Sequence, residues 1–377
     1  MANKKVLFLL HIPPPVHGSS MVGKYIKESE LINQAFVSRY VNLLASKEVR
    51  YSGKASLQKI VGVFILFYRL LKELIYYKPD LCYLALTTTG FAFYRDVILV
   101  VLIRTFRVKR IFHLHNKGVV QHDKSWFNKK LYEFVFWDAE VILLSKFLYA
   151  DVEAYVLPEN VHVCANGIPE KTGEAKLNRF SEAGLVKILF LSNLIETKGV
   201  YILLEACKIL KEGDIQVSID FIGGEGDISA EQFEAKAREL GLDTVRYLGK
   251  KFGEEKNRAF KEADIFAFPT YYPNECFPLV LLEAMQHGLP VVSTPEGGIA
   301  DIVEDSKTGF LVPQRSAEQV ATKLKFLIQN PDVRVSMGKA GRQRYEENFK
   351  LNTFERKLSQ IIKQVTEAKS TARRIVV

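Results

Sequence analysis

Two glutamates, Glu275 and Glu283, are spaced so that both could bind a hydroxylated, anionic ligand. Seven residues separate them; Glu275 falls in a polar loop and Glu283 in the first turns of a helix predicted to begin at Leu279. The start of a helix presents unpaired N–H groups and a partial positive charge, which bind phosphate. Nearby carboxylates can accept hydrogen bonds from sugar or ribose hydroxyls. The pattern therefore fits a nucleotide sugar, although Glu283 could instead only complement the helix dipole.

Further polar and glycine-rich positions follow two predicted strands of the second half. Lys198 comes after the strand at 187–191, at the opening of a helix. A lysine there could neutralise a diphosphate leaving group, or it could be an ordinary solvated side chain. Gly223, Gly224 and Gly226 form a turn after another strand. Such a turn is weak evidence alone, because many loops need glycine for its backbone freedom.

The first half offers a small-residue loop and a histidine pair. Gly18 and Ser19 follow three prolines and precede a helix predicted at 20–29, with Ser19 or Ser20 as its N-cap. His113 lies on a strand predicted at 110–114 and His115 in the loop after it, so the two would share one strand face if the strand extended that far. Two histidines indicate a metal only weakly, and no Asp-x-Asp accompanies them. Ordinary core or surface histidines are the alternative.

The elements that must position these residues alternate between short apolar strands and helices, which predicts parallel α/β sheets. A polar stretch at about 166–181 separates two such series. The predicted strands of the first are 6–11, 81–85, 110–114, 140–144 and 162–164, and those of the second are 187–191, 216–222, 245–247, 265–268, 290–293 and 309–312. Ligands of open α/β sheets bind at the carboxyl ends of the strands.

The segment 271–285, with 288–294 after it, resembles the glutamate-x7-glutamate signature of the family 4 retaining glycosyltransferases. The resemblance covers most of 187–350 closely and the first half more loosely. It implies the GT-B fold, an α/β architecture with two Rossmann-like domains facing across a cleft. We therefore expect an acceptor-binding domain at 1–170, a nucleotide-sugar-binding domain at 171–352, and a C-terminal helix at 353–377 that crosses back to the first domain.

The resemblance also implies roles for individual residues. Glu275 would bind donor-sugar hydroxyls, Lys198 would neutralise the diphosphate, and His115 would contact the donor sugar, while Glu283 would hold the ribose. The remaining implied donor-binding positions are Gly18, Ser19, Asn193, Gly223, Gly224, Gly226, Leu248, Phe277, Leu279 and Val280. The family commonly has an arginine near the position of Asn193, so here more of the charge stabilisation would rest on Lys198.

The implied reaction is a retaining, metal-independent transfer of a hexose from a UDP- or GDP-sugar, without a cofactor, to a hydroxyl acceptor. The acceptor would be a saccharide or a lipid-linked saccharide, as in cell-surface polysaccharide or glycolipid synthesis. Two alternatives stay open: a noncatalytic nucleotide-sugar-binding partner subunit, and a nucleotide-sugar epimerase of GT-B fold. The signature and the presence of Lys198 and His115 favour the transferase.

Composition and charge restrict the partners. The 377 residues are 48% apolar and 25% charged, as in globular proteins, and the formal charge is +9. Residues 1–170 hold 22 Lys and Arg against 14 Asp and Glu, so +8 of that charge lies there. The apolar runs at 60–68 and 97–103 are too short to span a membrane. We expect a cytoplasmic protein without a nucleic-acid motif, whose basic and aromatic first half either touches the inner face of an anionic membrane or is an ordinary core with solvated helix ends.

Overall fold

A computed structural model describes residues 3–44, 57–171 and 185–368. These residues form two compact units. The first contains the described residues up to Leu144, then Leu148–Ala165 and those from Asn352 onward, and the second contains Ser145–Phe147 and those between Asn166 and Leu351. The observed divisions at 165/166 and 351/352 compare with the expected 170/171 and 352/353.

The first unit is built on a parallel sheet of six strands in the order β2-β1-β3-β4-β5-β6. The strands are β1 Lys5–Leu10, β2 Val37–Asn42, β3 Leu81–Leu84, β4 Lys109–Leu114, β5 Glu140–Leu143 and β6 Val161–Val163. The helices are α1 Gly18–Glu28, α2 Glu30–Ala35, α3 Leu57–Lys72, α4 Gly90–Thr105, α5 Val119–His122 and α6 Trp126–Phe136. A π-helical segment, Glu73–Tyr77, continues α3.

The second unit has another parallel sheet of six strands, in the order β12-β11-β10-β7-β8-β9. The strands are β7 Val186–Leu191, β8 Val217–Ile222, β9 Val245–Tyr247, β10 Ile265–Phe268, β11 Val291–Ser293 and β12 Gly309–Leu311. The helices are α7 Val200–Glu212, α8 Ala230–Glu239, α9 Gly253–Glu262, α10 Leu279–Gln286, α11 Ile299–Ile302, α12 Ala317–Gln329 and α13 Pro331–Asn348.

Both sheets confirm the α/β fold class that the sequence predicts. Their central strands are continuous apolar runs because a parallel sheet is buried on both faces, and β3 and β10 are buried at every residue. The last helix, α14 (Leu351–Glu367), belongs to the first unit from Asn352 onward. Phe354 of α14 stacks near His113, with ring centroids 6.4 Å apart. No helix among the described residues has the length and apolar character needed to cross a membrane.

Strand order identifies where each sheet can receive a ligand. In the second unit, β7 and β10 are neighbours, and the chain leaves β7 toward one edge and β10 toward the other. This is the Rossmann order, whose crevice opens at the carboxyl ends of the two central strands. In the first unit the corresponding point lies between β1 and β3. The residues after β7, β10 and β1 therefore form the candidate sites.

Candidate active site

Lys198 and Glu275 meet at the point where the strand order of the second sheet reverses. The chain leaving β7 makes a 3₁₀ turn over Glu196–Lys198, and the chain leaving β10 forms the loop that carries Glu275. The Nζ atom of Lys198 lies 2.6 Å from Oε2 of Glu275, and the two side chains are only 15% and 10% exposed. The resemblance implies separate roles for Lys198 and Glu275. The structure brings their side chains together in one ion pair.

Two neighbours hold the lysine in position. Its ammonium lies 4.2 Å from the ring centroid of Tyr272, within the range of a cation–π contact. Gly199, at φ 88°, follows it, and a Cβ there would lie 2.3 Å from the carbonyl oxygen of Pro269. Glycine therefore allows the loop after β7 to pack directly on the loop after β10. Sequence reasoning missed Tyr272, which carries no recognisable signal beyond its proximity to Glu275.

The loop of Glu275 is held by a glycine pair. A Cβ on Gly297, at φ 56°, would lie 2.1 Å from the carbonyl oxygen of Glu275, and the N–H of Gly298 donates to the carbonyl of Cys276 at 2.7 Å. The loop leads into α10, whose N-cap residue is Pro278.

The residues that follow this loop differ in what they can offer a ligand. Leu279 and Val280 open α10, and the first N–H groups of a helix have no acceptor within it. Phe277 is buried, and its ring packs against that of Phe349 at 5.9 Å. The backbone of this turn is therefore fixed by packing, with its amides at the carboxyl edge of the sheet.

Glu283 has its own lysine partners, and they differ from the partner of Glu275. Its Oε2 lies 2.6 Å from Nζ of Lys256 on α9, and its Oε1 lies 3.9 Å from Nζ of Lys171. His287 joins α10 to α9, because Nδ1 bonds the Glu283 carbonyl at 2.7 Å and Nε2 bonds Asn257 Oδ1 at 2.8 Å. Lys256 was missed because it lies in a charged helix that reads as a solvated face.

The glycine turn after β8 packs tightly on the loop after β7. A Cβ on Gly223 would lie 1.8 Å from the carbonyl oxygen of Ser192, and one on Gly226 would lie 2.7 Å from that of Leu194. The N–H of Gly224 donates to Oδ1 of Asn193 at 3.0 Å. Asn193 therefore holds the glycine turn against the loop after β7 through this hydrogen bond.

Leu248, predicted to contact the nucleotide base through its backbone, has one of its two backbone groups engaged. Its N–H donates to the carbonyl of Phe221 at 2.9 Å, and the N–H of Gly223 donates to the carbonyl of Gly249 at 3.0 Å. These bonds continue the β8–β9 pairing beyond the strands. Only the carbonyl oxygen of Leu248 is left for a ligand.

In the first unit, the loop after β1 carries a histidine cap. His17, and neither Ser19 nor Ser20, is the N-cap of α1; its Nδ1 accepts from the N–H of Ser20 at 3.3 Å. The predicted serine cap is therefore wrong. The Oγ atom of Ser19 lies 2.9 Å from Nδ1 of His11, and a Cβ on Gly18 would meet no atom within 4 Å. The turn at Gly18 thus leaves open space beside the helix start.

His115 follows β4 at the same carboxyl edge. Burial, with a smaller contribution from His17, lowers its pKa to about 3, so its imidazole is neutral at physiological pH. Its ring centroid lies 4.2 Å from that of His113, a fully buried residue that bonds the hydroxyl of Tyr83. His113 is therefore a core residue. Within the described parts of the chain, no group of three or more His, Cys, Asp or Glu is arranged to hold a metal ion.

Comparison with known proteins gives a family match for part of the chain. Residues 177–344 match the family described as Glycosyl transferases group 1. This segment contains Lys198, Glu275 and Glu283. Residues 177–344 are thus similar to that family, and the two-sheet fold of the chain is that of the GT-B glycosyltransferases among its structural neighbours.

Individual relatives are similar to this chain over part of its length or at low sequence identity. The amylovoran biosynthesis glycosyltransferase AmsK of Erwinia amylovora is 32% identical over 244 residues, which are 63% of this chain and 60% of AmsK. A D-inositol 3-phosphate glycosyltransferase of Corynebacterium aurimucosum is 35% identical over 158 residues, 41% of this chain and 37% of the relative. The chain thus matches 60% or less of the length of these relatives. Anabaena Alr3699/HepE, solved in complex with UDP, has a TM-score of 0.75 at 20% identity, covering 96% of this chain and 100% of that one.

Proposed function

We propose that this protein is a retaining, metal-independent glycosyltransferase that moves a hexose from a nucleotide-diphosphate sugar to a hydroxyl acceptor. The observation that carries the proposal is the Lys198–Glu275 pair, which lies at the ligand-binding point of the second sheet and within the segment matched by the family. A UDP-sugar is favoured over a GDP-sugar because the solved structure of HepE contains UDP.

The side chains suit the proposed reaction. Glu275 accepts hydrogen bonds from donor-sugar hydroxyls, His115 contacts the donor sugar, and Glu283 accepts from the ribose. The bond from the sugar C1 to the β-phosphate oxygen breaks while the acceptor oxygen bonds C1 on the same face, and the acceptor proton passes to the leaving phosphate. Lys198 and the N-terminus of α10 stabilise the charge that develops on the diphosphate, so no metal is required.

The proposed acceptor is a saccharide or lipid-linked saccharide of a cell-surface polysaccharide or glycolipid. The name of AmsK, which refers to amylovoran biosynthesis, supports a polysaccharide. Exposed apolar side chains on the first unit support contact with the inner face of a membrane. Phe64 and Tyr68 on α3 are each 68% exposed, and α4 presents Phe91, Ile98 and Val101 at helical spacing. Basic residues follow this apolar face at the ends of both helices, as at an anionic interface.

A binding and turnover panel tests the proposal. Thermal shift and donor hydrolysis are measured with UDP-, GDP- and ADP-sugars, with and without EDTA, on the wild type and on Glu283→Gln. We expect one nucleotide class to stabilise and to be turned over in EDTA, with weaker binding by the variant. Stabilisation without turnover, even with saccharide acceptors added, would favour a noncatalytic partner subunit. Flotation with anionic vesicles, comparing wild type with Phe64→Ser/Tyr68→Ser, tests the membrane contact separately.

A further inference from the structure

Four cations lie together at the amino end of β4, on the edge of the first sheet opposite His115. Arg104, Arg107, Lys109 and Arg110 line a cavity of about 330 Å³, which we call the arginine cavity. Because β4 has six residues, the arginine cavity and His115 are separated by roughly 17–20 Å along the strand. The cavity is therefore distinct from the candidate active site.

Arg110 has an unused hydrogen-bond donor inside this cavity. The residue is only 8% exposed, and its guanidinium donates to the carbonyl oxygen of Trp137. Its Nε atom is buried and has no hydrogen-bond partner among the described residues. Burial and the neighbouring Arg104 lower the pKa of Arg110 to about 10. An unpaired buried donor of this kind is destabilising unless an acceptor is bound to it.

Two of the four cations of the arginine cavity bind carbonyl groups near the C-terminal ends of helices. Arg104 donates to the carbonyl of Phe134 at 2.7 Å, near the end of α6. Lys109 donates to the carbonyl of Val365 at 3.1 Å, near the end of α14. The C-terminus of a helix carries about half a negative charge, so these contacts neutralise part of two cations. Arg107 is exposed, and its guanidinium makes no hydrogen bond or ion pair with the described residues.

The acidic residues that line the arginine cavity do not neutralise its remaining positive charge. Asp138 and Glu140 are the acidic residues in its lining. Glu140 already accepts a bond from Nε2 of His162 at 2.9 Å. The arginine cavity thus keeps an excess of positive charge, centred on Arg107 and the free Nε of Arg110.

A second cavity of about 600 Å³, the apolar cavity, shares Arg107, Val108 and Lys109 with the first. Leu74, Ile75, Pro79 and Phe106 supply the apolar part of its remaining wall, and Lys78, Asp80 and Thr366 supply the polar part. Both volumes fall within the range of small-molecule sites. A charged chamber that opens beside an apolar one fits a ligand with an anionic head and an apolar body.

We propose that the two cavities together bind a phosphate-bearing amphiphile, with the phosphate group in the arginine cavity and the apolar part in the apolar cavity. Guanidinium groups bind phosphate oxygens through paired, charge-assisted hydrogen bonds, which would satisfy the free Nε of Arg110. The apolar part distinguishes this ligand from inorganic phosphate, which would fill only the arginine cavity. The site does not depend on glycosyl transfer.

The test uses isothermal titration calorimetry with the full chain. The probes are dihexanoyl phosphatidylglycerol below its critical micelle concentration and inorganic phosphate. The main variant is Arg107→Asn, because asparagine tolerates the φ of 55° found at this residue. Lys208→Gln, a charge loss at a 48% exposed side chain of the second unit, is the matched control. Arg110→Met is a second variant, used if it folds.

We expect the short-chain lipid to bind wild type more tightly than phosphate does. Arg107→Asn should weaken binding at least about tenfold, since a charged hydrogen bond is lost, while Lys208→Gln should bind as wild type does. Equal affinities for both probes, lost together in Arg107→Asn, would show that the apolar cavity adds nothing to binding and would overturn the proposed amphiphile. Binding of neither probe, or equal binding by Arg107→Asn and wild type, would overturn the proposal. Turnover of the nucleotide sugar should be unchanged in Arg107→Asn, so this result is separable from the proposed activity.

Discussion

Replacing Lys198 with methionine removes the cation 2.6 Å from Glu275 and its cation–π contact with Tyr272, while keeping an unbranched side chain. Two effects are expected. In the proposed reaction the diphosphate loses a stabilising charge in the transition state, and Glu275 loses the partner of its carboxylate. The first effect belongs to catalysis and the second to folding, so they can be measured apart.

The expected fall in kcat and the expected fall in the free energy of unfolding have different physical origins and sizes. Loss of one preorganised group that stabilises transition-state charge lowers kcat about 10²- to 10³-fold. Exposed ion pairs contribute about 0–1 kcal/mol, and breaking a buried pair costs about 3–5 kcal/mol. Because the Lys198 and Glu275 side chains are 15% and 10% exposed, we expect Lys198→Met to lower the free energy of unfolding by about 2–3 kcal/mol.

The assay is a double-mutant cycle with Lys198→Met, Glu275→Gln and the double variant. Urea unfolding gives stability, and donor turnover gives kcat. The double variant removes the charge of both partners, so it should regain much of the lost stability and yet stay as inactive as Lys198→Met. If it regained activity together with stability, or if Lys198→Met lowered kcat less than tenfold, the assignment of Lys198 to the leaving group would be refuted.

Three further predictions concern other residues of the candidate site. Gly223→Ala should abolish donor binding and lower stability, because the new Cβ would lie 1.8 Å from a carbonyl oxygen. Gly18→Ala should fold normally, because a Cβ there would meet open space. Thermal unfolding and UDP titration check both variants. Lys256→Met should raise KM severalfold with little change in kcat, because it frees the Glu283 carboxylate to move; steady-state kinetics check this, and rescue by Lys256→Arg would support a positioning role. The free energy of unfolding should fall as pH drops from about 7 to 4, and His115 should contribute up to about 1.4 kcal/mol per pH unit to that fall. The reason is that unfolded histidine binds a proton near pH 6.5, whereas native His115 binds one only near pH 3. Urea titrations should show a shallower fall for His115→Asn than for wild type.

Much of the fold follows from the sequence because buried parallel strands are continuous apolar runs. All six strands of the second sheet lie where the sequence predicts them. The strand β2 was missed because it is an edge strand that mixes polar and apolar residues without a regular period, with Val37 46% exposed. The cap of α1 was misassigned because Ser20 takes part in the capping box from the N3 position, where its hydroxyl accepts from the N–H of His17.

The site was predictable to the extent that topology constrains it. Lys198 and Glu275 are far apart in the chain, but each follows a central strand, and strand order places both at one edge. Side-chain pairing was not predictable. The contact of Lys256 with Glu283 depends on how α9 packs beside α10. The hydrogen bond between His287 and Asn257 joins these two helices, and no local sequence pattern predicts that bond.

The central claim is that this chain transfers a sugar with retention by using the Lys198–Glu275 pair. Proton NMR of the sugar released from the donor that the panel selects tests this most directly, with EDTA present and with the Lys198→Met variant as control. The account predicts that wild type first releases the anomer with the configuration of the donor, and that the variant releases it at least about a hundredfold more slowly. First release of the opposite anomer, or equal rates for wild type and variant, would contradict it.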